Sequence, residues 1–163
     1  MTGAPGRRAA MAGFALIELL ISVAILGLLA GGAMTFVELA RQRSNEQELR
    51  LALREIRQAI DAYKAAADNG HVRTAADESG YPRSLGELTE GVVDIKSPTG
   101  AKLYFLRRLP RDPMADPALA AEATWGLRSY ASDPESPQPG RDVFDVHSLS
   151  GRTALNGQPY RAW

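Results

Sequence analysis

Residues 13–37 read GFALIELLISVAILGLLAGGAMTFV, an apolar stretch in which Glu18 is the only ionisable residue. At about 1.5 Å per residue, the part from Phe14 to Val37 would extend roughly 36 Å as a helix, which is long enough to cross a bilayer once. A carboxylate in hydrocarbon costs about 2.5–3.5 kcal/mol at the bilayer centre, so such a group is usually paired. The stretch therefore predicts a membrane helix whose Glu18 has a partner, and we expect a second copy of the same N-terminus to supply it.

The residues before this stretch predict its orientation. Residues 1–12 carry only two charges, Arg7 and Arg8. Basic flanks stay on the cytoplasmic side, so we expect a single-pass membrane protein with its N-terminus inside and its C-terminal part outside. Three other interpretations stay open: a secretory signal peptide cut after residues 31–33, a plain membrane anchor and a buried core helix. The length of the stretch argues against the first and the last, and a plain anchor gives no reason for Glu18.

The eight residues from Gly13 to Leu20 resemble the processing site of type IV prepilins, which type IV pilins share with the pseudopilins of type II secretion. This resemblance implies that a prepilin peptidase cuts between Gly13 and Phe14, and that the new N-terminus at Phe14 is N-methylated. It also implies that Glu18 directs assembly. Ala15 stands where the family commonly has threonine or serine, a mild departure.

The chemistry of the junction agrees with these implied roles. Cleavage would leave a cationic amine at Phe14, and methylation would keep its charge. An amine beside hydrocarbon needs an anion as much as Glu18 needs a cation, and a neighbouring subunit displaced along the helix axis can bring the two together. The partners implied by the resemblance are a prepilin peptidase, copies of this chain and other pseudopilins in a filament, an inner-membrane secretion platform and inner-membrane lipid.

A second helical pattern follows the apolar stretch. Its apolar positions are spaced by three or four residues, as one face of an amphipathic helix requires: Leu49, Leu53, Ile56, Ile60, Tyr63 and Ala67. We expect charged residues on the rest of this helix to form a solvated surface of mixed sign: Arg41, Arg43, Glu46, Glu48, Arg50, Arg54, Glu55 and Arg57. Asn69-Gly70 predicts the end of the helix, because glycine adopts the left-handed cap conformation.

Composition limits the remaining functions. The chain has 163 residues, with 19 basic and 19 acidic side chains and no cysteine. This balance gives no basis for nucleic-acid binding, and a small domain without disulfides must rely on packing, on neighbours or on a metal. No phosphate-binding loop, HExxH pair or Gly-x-Ser-x-Gly elbow occurs, so we predict that the protein is not an enzyme. His147 and Ser148 would face opposite sides of a strand, which argues against a catalytic triad.

The C-terminal part carries strand and turn patterns. We expect strands at 102–106, 125–131 and 142–147, separated by Asp-Pro pairs. A short helical turn follows Ser84, with Glu87 at capping-box spacing. The predicted fold class is α+β and pilin-like, with a long N-terminal helix, transmembrane and then amphipathic, packed on a small antiparallel sheet of about three strands. The predicted segments are a leader at 1–13, a transmembrane and assembly helix at 14–37, an amphipathic helix at 38–69 and a periplasmic domain at 70–163.

Four further stretches of the sequence resemble one member group of this family. In order along the chain, they are similar to stretches of the major pseudopilin of type II secretion: residues 81–88, 109–113, 125–130 and 142–148. The resemblance implies a structural subunit of a short periplasmic filament that drives protein export. A type IV pilus or competence minor pilin is the alternative, and a membrane-anchored periplasmic binding or enzymatic domain is a more distant one.

Calcium is the one cofactor that the resemblance raises, because the family holds this ion in its C-terminal loop. Calcium takes about six to eight oxygen ligands, usually with two or more carboxylates. Four side chains could contribute oxygens: Asp133, Asp142, Asp145 and Ser148. However, the acidic Asp-Gly loop of the family is absent, and Arg152 lies about where an aspartate would be expected. The alternative is that these residues cap turns and pair with Arg141 and Arg152, and we assign no metal ligand.

Overall fold

The computed structural model describes the backbone of residues 10–163, and the side chains of residues 16–28 and 36–163. The predicted leader at 1–13 lies outside the described residues, except for helical backbone from Ala10. Helix α1 spans Ala10–Asp68. The chain divides into two compact units, Met1–Gln42 and Arg43–Trp163, which are described separately below. The helix ends where the sequence predicted.

The end of α1 is a Schellman cap. Gly70 has a φ of +72°, a left-handed conformation that glycine adopts without a side-chain clash. The Gly70 N–H donates to the Ala67 carbonyl at 2.8 Å, and the His71 N–H donates to the Ala66 carbonyl at 2.9 Å. These two bonds satisfy carbonyls that have no partner further along the helix. The prediction that Asn69-Gly70 stops the helix is confirmed.

The predicted apolar stripe of α1 forms one side of the core of the Arg43–Trp163 unit. All six predicted positions are buried, and Ala52 and Ala59 between them are buried as well. The stripe packs with apolar side chains from later in the chain: Leu85, Leu88, Leu106, Trp125, Val143, Val146 and Tyr160. The prediction of an amphipathic helix is therefore confirmed.

Two of the charged residues expected on the solvated surface of α1 are not free in solvent. Glu46 is only 5% exposed, and its Oε1 accepts hydrogen bonds from the Leu155 N–H at 2.8 Å and the Tyr160 hydroxyl at 3.0 Å. Arg57 is half-buried and donates to the Asp145 carboxylate and to the Trp163 carbonyl. The prediction was wrong at these two positions because residues 155–163 and a distant strand contact this part of the helix, which helical spacing cannot reveal.

Helix α2, Gly86–Glu90, is the predicted short turn, but the predicted cap is wrong. Its N-cap residue is Leu85, which makes no side-chain capping bond. Glu87 Oε2 instead accepts hydrogen bonds from the Arg83 N–H and the Tyr63 hydroxyl, each at 3.0 Å. The Glu87 carboxylate therefore connects this turn to Tyr63 of α1, instead of forming a capping box with Ser84.

The strands of the described residues form two separate antiparallel pairs. Strand β1 is Val92–Val93, β2 is Lys102–Leu103, β3 is Trp125–Arg128 and β4 is Asp145–Ser148. Strand β1 pairs with β2, and β3 pairs with β4. The α+β fold class is confirmed, but the expected sheet of three strands is wrong, because β2 pairs with a two-residue strand too short to show an alternating pattern. The strands are also shorter than predicted.

In the β3–β4 pair, the ring of His147 lies against the backbone of Gly126. Gly126 lies opposite His147 in the register, and a Cβ atom added to Gly126 would overlap the His147 ring. Burial alternates along β4, so that His147 is half-buried against Gly126 while Ser148 is fully buried. The expectation that these two side chains face opposite sides is therefore confirmed.

We predict that Leu53→Ala lowers the free energy of unfolding of the Arg43–Trp163 unit by about 2–5 kcal/mol, because it leaves a cavity in the core. Leu53 is 2% exposed. The matched control is Leu51→Ala, in the same helix at a position 58% exposed, which should cost less than about 0.5 kcal/mol. Urea unfolding followed by circular dichroism measures both, and equal losses would contradict the packing described here.

Candidate functional site

The residues predicted to direct processing and assembly lie together near the start of α1. Gly13, Phe14 and Glu18 all lie within Ala10–Asp68, but the side-chain environment of Phe14 lies outside the described residues. Glu18 is exposed, and its main-chain carbonyl accepts a hydrogen bond from the Ser22 hydroxyl at 2.8 Å. Its carboxylate is thus presented on the helix surface.

Apolar side chains surround Glu18 and are exposed as well. The large ones between residues 16 and 28 are 54–81% exposed: Leu16, Ile17, Leu19, Leu20, Ile21, Val23, Ile25, Leu26 and Leu28. A helix that is apolar on all sides is stable only when lipid or other helices cover it. Within the part of α1 whose side chains are described, no stretch is both long enough and apolar enough to count as a membrane span.

The Asp142 carboxylate, a candidate calcium ligand, is occupied by hydrogen-bond donors. Its Oδ1 accepts from the Ser129 hydroxyl at 2.7 Å and from the Tyr130 N–H at 2.8 Å. Its Oδ2 accepts from the Ser79 hydroxyl at 2.5 Å. Burial raises the pKa of Asp142, but these three hydrogen bonds outweigh it, so that its pKa lies below the ordinary value. Arg141 favours the ionised form, yet its guanidinium pairs with Asp77 at 2.8 Å.

The other candidate ligands have separate partners. Asp145 Oδ1 accepts from Arg57 Nε at 2.7 Å, a partner that is neither Arg141 nor Arg152. The Ser148 hydroxyl donates to Asp112 Oδ2 at 2.5 Å. Asp133 Oδ1 accepts from the Glu135 N–H at 2.8 Å, which closes a local turn.

These side chains do not share a centre and do not fit a calcium site. No group of three or more His, Cys, Asp or Glu side chains able to hold a metal ion occurs among the residues described. The capped-turn interpretation fits Asp133 and Asp142, although the arginine partners that it named are wrong. The reason is that Asp142 accepts from Ser79 and Asp145 accepts from Arg57. Both donors are far away in the sequence.

A buried polar cluster around Asp112 was not predicted. Asp112 is buried and accepts from the Met114 N–H at 2.7 Å as well as from Ser148. Its own N–H donates to Thr124 Oγ1 at 3.1 Å. The sequence predicts only a turn at the Asp112-Pro113 pair. The cluster fastens the loop before β3 to the end of β4.

We predict that Arg57→Ala lowers the free energy of unfolding by about 1–2 kcal/mol, because it removes the donor to Asp145 and to two carbonyls from a half-buried site. Arg57 Nη2 donates to the Val146 carbonyl at 3.1 Å and to the Trp163 carbonyl at 2.6 Å. Arg54→Ala is the control, since Arg54 is exposed and its Nε bonds only within the helix, to the Arg50 carbonyl. Urea midpoints that shift equally in the two variants would mean that the Arg57 contacts contribute nothing.

Comparison with known proteins adds two findings. Residues 8–34 match the family model of the prokaryotic N-terminal methylation motif, a range that contains Gly13, Phe14 and Glu18. The type II secretion system core protein G of Klebsiella michiganensis is 26% identical to this chain over 141 residues, which cover 83% of this chain and 92% of that protein. No solved structure matches the chain.

The methylation motif at the start of α1 makes this chain similar to prepilin-like proteins. Together with the relative, which spans most of the chain, these findings support a G-type pseudopilin, a structural subunit of the secretion pseudopilus and not an enzyme. This similarity implies processing by a prepilin peptidase and assembly with other pseudopilins. It also suggests a periplasmic protein anchored in the inner membrane.

Proposed function

We propose that the chain is a pseudopilus subunit that is cut between Gly13 and Phe14, N-methylated at Phe14 and assembled through Glu18. The observation that carries this proposal is the exposed carboxylate of Glu18 among exposed apolar side chains of α1, within the residues that match the methylation motif. A carboxylate in such surroundings is costly unless a cation neutralises it. The assembly partner must therefore bring a positive charge into an apolar interface.

The amine created by cleavage is the cation that suits this role. Methylated or not, the amine of Phe14 stays protonated, and it sits at the end of the same apolar helix. In a filament, the helices of neighbouring subunits are displaced along the axis, so the amine of one subunit reaches Glu18 of the next. Two groups that are each unfavourable in hydrocarbon then neutralise each other.

The proposed membrane arrangement follows from the same segment. Residues 14–37 would cross the inner membrane before assembly, with Arg7 and Arg8 of the 1–13 leader on the cytoplasmic side. Residues 38–69 would continue the helix into the periplasm, where residues 70–163 complete the domain. During assembly, the secretion platform of the inner membrane would take the helix out of the lipid and into the filament, where helices of other subunits cover its apolar surface.

The similarity to a secretion protein favours secretion over a pilus. A type IV pilus or competence minor pilin would share the cleavage site and the role of Glu18, so neither feature separates the two. A membrane-anchored binding domain would need no cleavage at Gly13. The processing experiment therefore separates the filament proposals from that third one.

We predict that the mature chain begins at N-methylated Phe14. Mass spectrometry of the protein purified from membranes of cells with a prepilin peptidase measures this start directly. Gly13→Leu should block processing, because the peptidase must accept a small residue before the cut. Gly6→Leu, in the same leader, is the control and should be processed normally. A mature start near Met34, as cleavage by an ordinary signal peptidase requires, would contradict the proposal.

We predict that Glu18→Ala leaves processing intact but abolishes incorporation into filaments, because the amine of the adjacent subunit is then unpaired in apolar surroundings. Glu38→Ala is the control, since Glu38 is exposed on the same helix outside the residues that match the motif. Recovery of each variant in sheared pseudopili, together with secretion assays, measures the effect. Filaments and secretion at wild-type levels with Glu18→Ala would rule out the pairing.

A further inference from the structure

The loop between β3 and β4 is closed around one carboxylate. Asp142, at the end of the loop, accepts hydrogen bonds from Ser129 and Tyr130, which lie at its start. It also accepts from Ser79, which lies more than sixty residues earlier in the chain. The Ser129 N–H donates to the Gln138 carbonyl at 3.0 Å across the same loop. One side chain therefore joins the two ends of the loop to the segment that follows α1.

Aromatic packing supports this closure. Tyr81, Tyr130 and Phe144 form a cluster in which the ring centroids of each pair lie 5.0–5.6 Å apart. Edge-to-face and offset ring pairs of this kind stabilise beyond the area that they bury. Because Tyr130 contributes both its ring and its N–H, the position of its backbone is fixed from two sides. The hydrogen bond from Tyr130 to Asp142 thus forms beside a cluster of three aromatic rings.

The groups that contact Asp142 and Asp145 are hydrogen-bond donors, whereas a calcium site is built from oxygen ligands. Calcium requires oxygens that direct lone pairs at a common centre. At Asp142 the partners direct hydrogens at the carboxylate instead, and one of them is a main-chain N–H, which cannot act as a ligand. At Asp145 the partner is the guanidinium of Arg57, 2.7 Å from Oδ1, which supplies the positive charge that a cation would otherwise bring.

We propose that Asp142 closes this loop through hydrogen bonds alone, in place of the calcium ion that the family resemblance implies, and that the domain is held without calcium. A carboxylate that accepts three hydrogen bonds is satisfied and needs no further cation. Asp145 is satisfied in the same way by Arg57. This inference concerns the stability of the domain and does not depend on the proposed role of Phe14 and Glu18.

The test uses the full chain in detergent micelles. The only two tryptophans, Trp125 and Trp163, lie in the Arg43–Trp163 unit, so tryptophan fluorescence during heating follows the unfolding of that unit in the presence of the micelle. We expect the same midpoint in excess chelator and in about 1 mM calcium, a concentration that saturates weak extracellular sites. Isothermal titration with calcium should give no binding heat.

Substitutions in the loop measure how much the Asp142 carboxylate contributes to the melting midpoint. Asp142→Asn removes the charge and one acceptor at nearly constant shape, and should lower the midpoint by roughly 3–8 °C to the same extent with and without calcium. Asp133→Asn is the control, because Asp133 is exposed in the same loop and accepts only from the Glu135 N–H. If Asp142→Asn does not fold, Ser129→Ala removes a single donor and should give a smaller shift, again independent of calcium.

The proposal has two ways to fail. A wild-type midpoint that rises with calcium would show that the domain binds the ion, and loss of that rise in Asp142→Asn would place the ion at this loop. Unchanged midpoints of both Asp142→Asn and Ser129→Ala would mean that these hydrogen bonds do not hold the loop. Either result overturns the inference.

Discussion

Burial of one face of α1 is the constraint on which the rest of the Arg43–Trp163 unit depends. Segments throughout the rest of that unit contribute apolar side chains to the same core, from Leu85 and Leu88 at α2 to Tyr160 near residue 163. Burying a side chain such as Leu53 or Ile56 stabilises the fold by about 1.5–3 kcal/mol. With no cysteine in the chain, no disulfide shares this role. Strands β3 and β4 take part in this core through Trp125 and Val146.

The first part of α1 differs from this buried face because its apolar side chains are exposed. Between residues 16 and 28 the large apolar side chains are exposed, and Glu18 is the only ionisable group among them. The chain itself therefore leaves this surface uncovered. A carboxylate on such a surface is unfavourable for a subunit alone in lipid and favourable once a cation from a neighbour meets it. In the proposed filament, this difference makes assembly selective for subunits with a free amine.

Polar side chains determine which segments of the core contact each other. Glu46 binds the segment at 155–160, Arg57 binds β4, and Asp112 joins its own loop to Ser148. Each of these groups is buried or half-buried, so each would be costly without its partner. Hydrophobic packing tolerates small shifts between elements, whereas these hydrogen bonds require particular atoms to meet. They therefore contribute specificity to a unit whose strands have at most four residues each.

The sequence by itself determined the features that depend on neighbouring residues. The spacing of Leu49 to Ala67 gave the buried face of α1, and Gly70 gave its end, because helical periodicity and a left-handed cap are local properties. The similarity of residues 13–20 to prepilins likewise depends on local sequence alone. Only the tertiary structure decided that Glu46 is buried, that Arg57 pairs with Asp145, and that β2 pairs with β1. These outcomes depend on which distant segments meet, since the energy of a buried charge or a paired strand comes from a partner that local sequence does not contain.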